Sequence, residues 1–300
     1  MKKVLIITNV NDCTVDYIIN KYSGVVKFYR YNVDDFQNYE IVVNEYGWVL
    51  SNSSWTISDK DIFSIYYRKP RMPDLTCYEN KYHLMIHKDI ISIINGIADS
   101  FPGTVLTPPN ILRKTENKIY QILTAQKLGM KIPMSFLGNV NEKLIEFLTQ
   151  KSIIKPISVG KINFGKTVEI YQTSLFHGCD ENISLTPIYL QKYVEKQYEV
   201  RLTIIDNIFY PIKIETIDKI DWRKDYQNHT YSIIECPSDI KEKCKKLMIE
   251  YGLSFGAFDF IVTPKNEWIF LEINPNGQWL WLEKALNLNI SKNIVNHLIR

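Results

Sequence analysis

Short apolar runs near residues 4–7, 25–30, 41–43 and 62–67, each bounded by polar or turn-forming positions, predict strands in the first part of the chain. Helical stretches separate them. The best helix spans residues 79–98, where Ile86, Ile90, Ile93, Ile94 and Ile97 recur at three-to-four spacing and share one face. Strands alternating with helices predict a small α/β domain over residues 1–103. Pro102-Gly103 and Pro108-Pro109 then interrupt the pattern and mark a linker.

Two further regions follow, 110–189 and 190–300. In the first, a helix over 117–129 ends at Gly129, which suits a left-handed C-terminal cap, and a second helix over 142–149 precedes a strand over 152–155. In the second, strands are expected over 189–194, 200–206 and 208–214, the last two meeting at a tight Asp206-Asn207 turn. A helix over 239–251 leads to two more strands, 257–262 and one through Phe270, joined by the polar turn Thr263-Pro264-Lys265-Asn266.

Composition fits an ordinary globular enzyme: 300 residues, 45% hydrophobic and 23% charged. A net charge of +3 from scattered lysines and arginines, without zinc or nucleic-acid motifs, argues against a nucleic-acid partner. The basic cluster is Arg68-Lys69-Pro70-Arg71, which reads as a solvated loop, although its place directly after a strand lets Arg68 reach into a cleft. Five cysteines, Cys13, Cys77, Cys179, Cys236 and Cys244, lack paired spacing and point to a reducing, cytoplasmic setting. The N-terminal apolar run stops at Thr8 and Asn9, so it reads as a strand and not a signal segment, and no stretch is long enough to span a membrane.

The chemistry gathers near the C-terminus. Glu272 and Asn274 lie two apart on a strand, project from one face, and can hold a hard cation between them. Asp259, set between Phe258 and Phe260, needs a cation or a hydrogen-bond donor once buried. Three oxygen donors on consecutive strands make a Mg2+ cradle of the kind that nucleotide phosphates and water complete. Upstream, Lys155 leaves a strand into the glycine-bearing segment 157–166, and Lys118 opens a helix with Lys114 as a nearby competitor. Neither belongs to a Walker A loop.

Asn117-Lys118 through Pro133, then Lys155-Pro156, Leu190 to Glu195, Glu199-Val200-Arg201, Asp259 and Glu272-Ile273-Asn274 resemble the ATP-grasp ligases in content and order. Asp221-Trp222-Arg223 and the run from Asn274 through Gly277-Gln278-Trp279 to Glu283 are similar to the ATP-grasp enzymes that cyclise ribosomal precursor peptides, the microviridin or graspetide type. The resemblance implies an α/β ATP-grasp fold, with a small N-terminal pre-domain (1–103) ahead of central (110–189) and C-terminal (190–300) lobes that enclose ATP. It implies that Lys118 and Lys155 bind the phosphates, and that Gln191 with the backbone of Tyr193 and Val194 reads adenine. Glu199 would hold the ribose hydroxyls and Arg201 the transferring phosphoryl group, with Asp259, Glu272 and Asn274 as Mg2+ ligands.

On that resemblance the substrates are ATP, with Mg2+, and a precursor peptide of leader and core. Its Asp or Glu carboxylates would be phosphorylated, then joined to Thr or Ser hydroxyls as esters or to Lys amines as amides. Arg223 can grip a substrate carboxylate bidentately, and leader recognition falls to the strand 167–172 and loop 173–186, which read equally well as an ordinary hairpin and loop. No membrane partner is expected, and a homodimer is compatible with the reading. A ligase joining separate molecules, or a phosphotransferase of similar fold, would keep every nucleotide residue while leaving Gly277-Gln278-Trp279 without a role.

Overall fold

The computed structural model describes residues 1–158, 161–164, 167–170, 173–178, 183–216 and 229–300, with the backbone alone at 161–164 and 167–170. The chain divides into two compact units, residues 1–113 with 252–255 and 275–300, and residues 114–251 with 256–274.

The first unit begins with β1 (Lys2–Thr8), α1 (Cys13–Tyr22) and β2 (Val26–Asn32), then β3 (Glu40–Asn44), β4 (Gly47–Ser51), β5 (Thr56–Ser58), β6 (Ser64–Tyr67), α2 (Asn80–Asp99) and β7 (Thr104–Leu106). Four strands pair in parallel in the order β2-β1-β6-β7. Val4 to Thr8 are all buried, as expected where a parallel strand is covered on both faces. Asp12 caps α1, its carboxylate accepting from the backbone N–H groups of Thr14 and Val15. The antiparallel sheet β3-β4-β5 adds Trp48, Leu50 and Ile57 to the core that Leu5, Ile7, Ile65 and α2 build. Of the α2 isoleucines, Ile90, Ile94 and Ile97 enter that core, whereas Ile93 stays 40% exposed because it lies off their i, i+4, i+7 stripe.

A short helix, α3 (Pro109–Thr115), carries the chain onward to α4 (Lys118–Lys127), β8 (Ser135–Gly138), α5 (Glu142–Leu148), β9 (Ser152–Lys155), β10 (Lys161–Phe164), β11 (Thr167–Ile170) and β12 (Ser174–Leu175). Then come β13 (Ile188–Lys192), β14 (Tyr198–Ile205), β15 (Ile208–Glu215), β16 (Thr230–Ile233), α6 (Ser238–Tyr251), β17 (Phe255–Val262) and β18 (Trp268–Asn274). One sheet runs β12-β9-β13-β8, the hairpin β10-β11 stands as its own pair, and a five-stranded sheet runs β16-β15-β14-β17-β18. Gly129 takes the left-handed conformation after α4, as the sequence predicts, and Asp206 does so in the tight β14-β15 turn. The final helices, α7 (Leu280–Leu286) and α8 (Ile290–Leu298), belong to the first unit, where the Ser64 hydroxyl donates to the Leu298 carbonyl at 2.7 Å. Residues 275–300, grouped with the C-terminal lobe on sequence, thus return to the N-terminal sheet.

Ile94 has no exposed surface in the first unit's core. Ile94→Ala should lower stability by roughly 2–5 kcal/mol in urea unfolding, through lost burial and a residual cavity. A change under about half a kcal/mol would contradict this packing.

Candidate functional site

The register of β17 against β18 sets the site. From Val262↔Trp268 to Phe260↔Phe270 the strands pair residue for residue, and one more step would put Leu271 opposite Asp259. A β-bulge intervenes, and Glu272 stands opposite Asp259 instead. Bulges re-aim side chains in this way beside functional sites. Regular pairing resumes with Phe258↔Ile273 and Ala257↔Asn274, so Glu272 and Asn274 flank Ile273 on a shared face.

Two acids so close need cations. The Lys118 ammonium, in the first turn of α4, contacts the Glu272 carboxylate directly. Asn117 holds that turn, its side-chain carbonyl accepting from the Tyr120 N–H at 3.1 Å. Arg201, on β14 beside β17, brings its Nε to 3.2 Å from Asp259 Oδ1, with both side chains largely buried. Lys114 lies elsewhere, its Nζ 3.4 Å from the Glu250 carbonyl and 5.0 Å from the Tyr120 ring centroid. The geometry therefore separates the two candidate lysines, placing Lys118 beside the acids.

On the other sheet, Lys155 at the end of β9 pairs with Tyr189 of β13, its Nζ 6.0 Å from the phenol ring centroid. Burial, opposed by a hydrogen bond with Ser135 and assisted by the Glu272 charge, pushes the Tyr189 phenol up to about 12. It is a neutral donor at ordinary pH. Two residues on, Gln191 is buried, with its Nε2 donating to Tyr189 Oη at 2.6 Å and Ser135 Oγ at 2.9 Å. Its Oε1 is buried without a protein partner among the described residues, an acceptor that calls for a ligand donor. The strand ends at Lys192, one residue before Tyr193, whose N–H donates to the Lys151 carbonyl at 2.9 Å; the Tyr193 carbonyl and the half-buried Val194 follow outside the ladder. Glu199, nearly buried at the start of β14, is contacted by the Lys196 ammonium.

In the first unit, Arg68 follows β6 and Asp12 follows β1, so both sit at the carboxyl ends of adjacent parallel strands, where open α/β sheets place their binding crevices. Arg68 is fully buried and not solvated. Its Nη1 donates to Asn276 O at 2.8 Å and Asn276 Oδ1 at 2.6 Å, and its Nη2 donates to Gln278 Oε1 at 2.7 Å. Thr14 Oγ1 also donates to Gln278 Oε1, at 3.2 Å. With that oxygen facing two donors, the exposed Gln278 must turn its Nε2 outward. Trp279 is fully buried, so its ring is core.

Arg223, with Asp221 and Trp222, lies outside the described residues, as do Gly160 and Lys166 of the segment after Lys155. Sequence reasoning left Arg68 as a loop residue and passed over Gln121, which is buried beneath Lys118 in α4. Among the described residues no cluster of three His, Cys, Asp or Glu side chains is available to a metal. The set here is two carboxylates and a carboxamide, which suits Mg2+ because that ion keeps waters and substrate phosphates among its ligands. Among the described residues, no helix is long and apolar enough to cross a membrane.

No protein-family model matches the chain, and no curated protein sequence matches it. Solved structures do. A RiPP-associated ATP-grasp ligase of Chryseobacterium gregarium, in complex with ADP and a leader and core peptide, is 26% identical over 100% of this chain and 97% of that one, with a TM-score of 0.89. The macrocyclase MdnC of Microcystis aeruginosa, bound with its precursor peptide MdnA, is 23% identical over 99% of each chain, with a TM-score of 0.88. PsnB, an ATP-grasp ligase complexed with a minimal precursor, Mg and ADP, is 16% identical over 99% of this chain and 96% of that one, with a TM-score of 0.77. The chain has the ATP-grasp fold. Within that class its full-length likeness is to the graspetide maturases.

Two outcomes follow from the geometry. Arg68→Met should destabilise the first unit by roughly 3–5 kcal/mol, since it strands buried acceptors that one guanidinium now serves. An unchanged urea midpoint would contradict the buried cluster. Tyr189 has a folded pKa above its usual 10.0, so the stability it contributes is complete below that pH and is lost as pH rises toward about 12. Tyr189→Phe should flatten that part of the alkaline stability profile, and an unaltered slope would show that the phenol titrates normally.

Proposed function

We propose that this ligase activates Asp or Glu side-chain carboxylates of a ribosomal precursor peptide with ATP and joins them to Thr or Ser hydroxyls, or to Lys amines, within the same peptide. The observation that carries the reading is the charge-balanced set in the second unit, Asp259 with Arg201 and Glu272 with Lys118. Its support from outside is the full-length likeness to ligases whose structures hold ADP and precursor peptides.

In this reading Lys118 and Lys155 hold the ATP phosphates as point charges. Gln191 accepts from the adenine amine through its orphaned Oε1, the Tyr193 carbonyl and Val194 N–H complete the adenine edge, and Glu199 takes the ribose hydroxyls as Lys196 yields part of its contact. Asp259, Glu272 and Asn274 are the Mg2+ ligands, and the ion supplies charge neutralisation at the phosphates. A carboxylate resists nucleophiles because its leaving group would be oxide. Phosphoryl transfer to it gives an acyl-phosphate, and Arg201 stabilises charge on the transferring group. The hydroxyl or amine then adds to the acyl carbon and phosphate departs, with no covalent enzyme intermediate. Arg223 grips the substrate carboxylate.

With ATP, Mg2+ and a precursor peptide carrying Thr and Glu, the wild-type enzyme should release ADP while the peptide loses the mass of one water per ring. Glu272→Gln and Lys155→Ala should each slow this by on the order of 100-fold, with the fold intact by circular dichroism. A stable phosphopeptide, or a product with the summed mass of two molecules, would replace this reading with a kinase or an intermolecular ligase.

A further inference from the structure

Helix α4 presents its polar side inward. Gln121 is three residues after Lys118, on the same side of the helix, and is buried with Thr124 and Ala125, while Ile119 and Leu123 face solvent. Gln121 Oε1 accepts from the Ile273 N–H at 3.0 Å, and its Nε2 donates to the Ile273 carbonyl at 2.9 Å and to the Thr115 carbonyl at 2.7 Å. The orientation of the amide is forced, because the reverse would set an oxygen against two carbonyls.

Ile273 separates Glu272 from Asn274. Its N–H belongs to the peptide plane it shares with Glu272, and its carbonyl to the plane it shares with Asn274. β18 is the edge strand of its sheet, so these two groups point away from β17. One side-chain amide thus supplies the donor and acceptor that a further strand would have supplied, and fixes both peptide planes that carry the candidate ligands. It does so from the helix whose first turn holds Lys118 against Glu272. We infer that Gln121 is a positioning residue for the metal-binding end of β18, setting the spacing and aim of Glu272 and Asn274 and their distance from Lys118. The inference rests on reading those two residues as Mg2+ ligands. Groups that orient metal ligands in this way typically change metal affinity by 10–100-fold when removed.

The test is a Mn2+ titration read by electron paramagnetic resonance, with a nonhydrolysable ATP analogue present, on wild type, Gln121→Met and Glu272→Gln. Gln121→Met keeps side-chain length and removes all three hydrogen bonds. It should raise the Mn2+ half-saturation about 10-fold or more, while analogue affinity in EDTA stays within about twofold, a split that simple loss of folded protein would not produce. Should Gln121→Met not fold, Gln121→Glu, which keeps the acceptor for the Ile273 N–H but faces two carbonyls with a carboxylate, is read in the same titration with the same expected shift. A Mn2+ curve unchanged in the folded variant, beside a weakened one in Glu272→Gln, would overturn the role of Gln121 alone. Unchanged curves in both variants would overturn the metal reading together with it.

Discussion

Carboxylates facing each other across neighbouring strands repel, and the second unit is arranged around that cost at Asp259 and Glu272. A bulge creates the juxtaposition where an unbroken register would have placed Leu271. Two cations from different elements then answer it, Arg201 from β14 and Lys118 from α4. Neither contact is a stability device in the ordinary sense, since the cost of desolvating such buried or half-buried charges offsets much of their attraction. What they provide is a balanced set of charges: if Asp259 and Glu272 held a divalent ion, as proposed, Lys118 and Arg201 would be left available to phosphate oxygens. The same charges that balance one another here are those that the proposed ligase chemistry needs at the reacting groups.

The chain order ties this site to a second one. The strand of Glu272 ends at Asn274, and two residues later Asn276 is already bound by the buried Arg68 of the first unit. Arg68 thereby fixes the Asn276-Gly277-Gln278 loop, and Thr14 and Arg68 together orient the Gln278 amide. The residues proposed for the nucleotide all belong to the second unit and Gln278 to the first. Burying a guanidinium costs several kcal/mol unless its donors are well met, which explains why Asn276, Gln278 and Asp12 gather around it.

Much of this was legible in the sequence, and what was not has physical reasons. Strand alternation was enough to put Glu272 and Asn274 on one face, and the apolar setting of Asp259 was enough to demand a partner. The helix over 79–98 was read within a residue of its ends, although Ile93, counted in its three-to-four apolar pattern, is exposed. Periodicity cannot reveal the bulge at Leu271, because no residue there advertises it. Nor does it show which side of α4 is buried: Ile119 and Leu123 are exposed, and the hydrogen-bonding needs of an edge strand turn Gln121 inward. β4 and β5 were not read as strands, and Arg68 stayed open between a solvated loop and a reach into a cleft because its partners lie over two hundred residues away.

The central claim is that a peptide side-chain carboxylate is activated by phosphorylation before ring closure. Its most direct test uses a precursor peptide whose Asp and Glu side-chain carboxylates carry heavy oxygen, with phosphate analysed by mass spectrometry as rings form. The account predicts that one labelled oxygen passes from peptide to inorganic phosphate for each ring closed, since the acyl–oxygen bond is the one that breaks. Ring closure with unlabelled phosphate would contradict it.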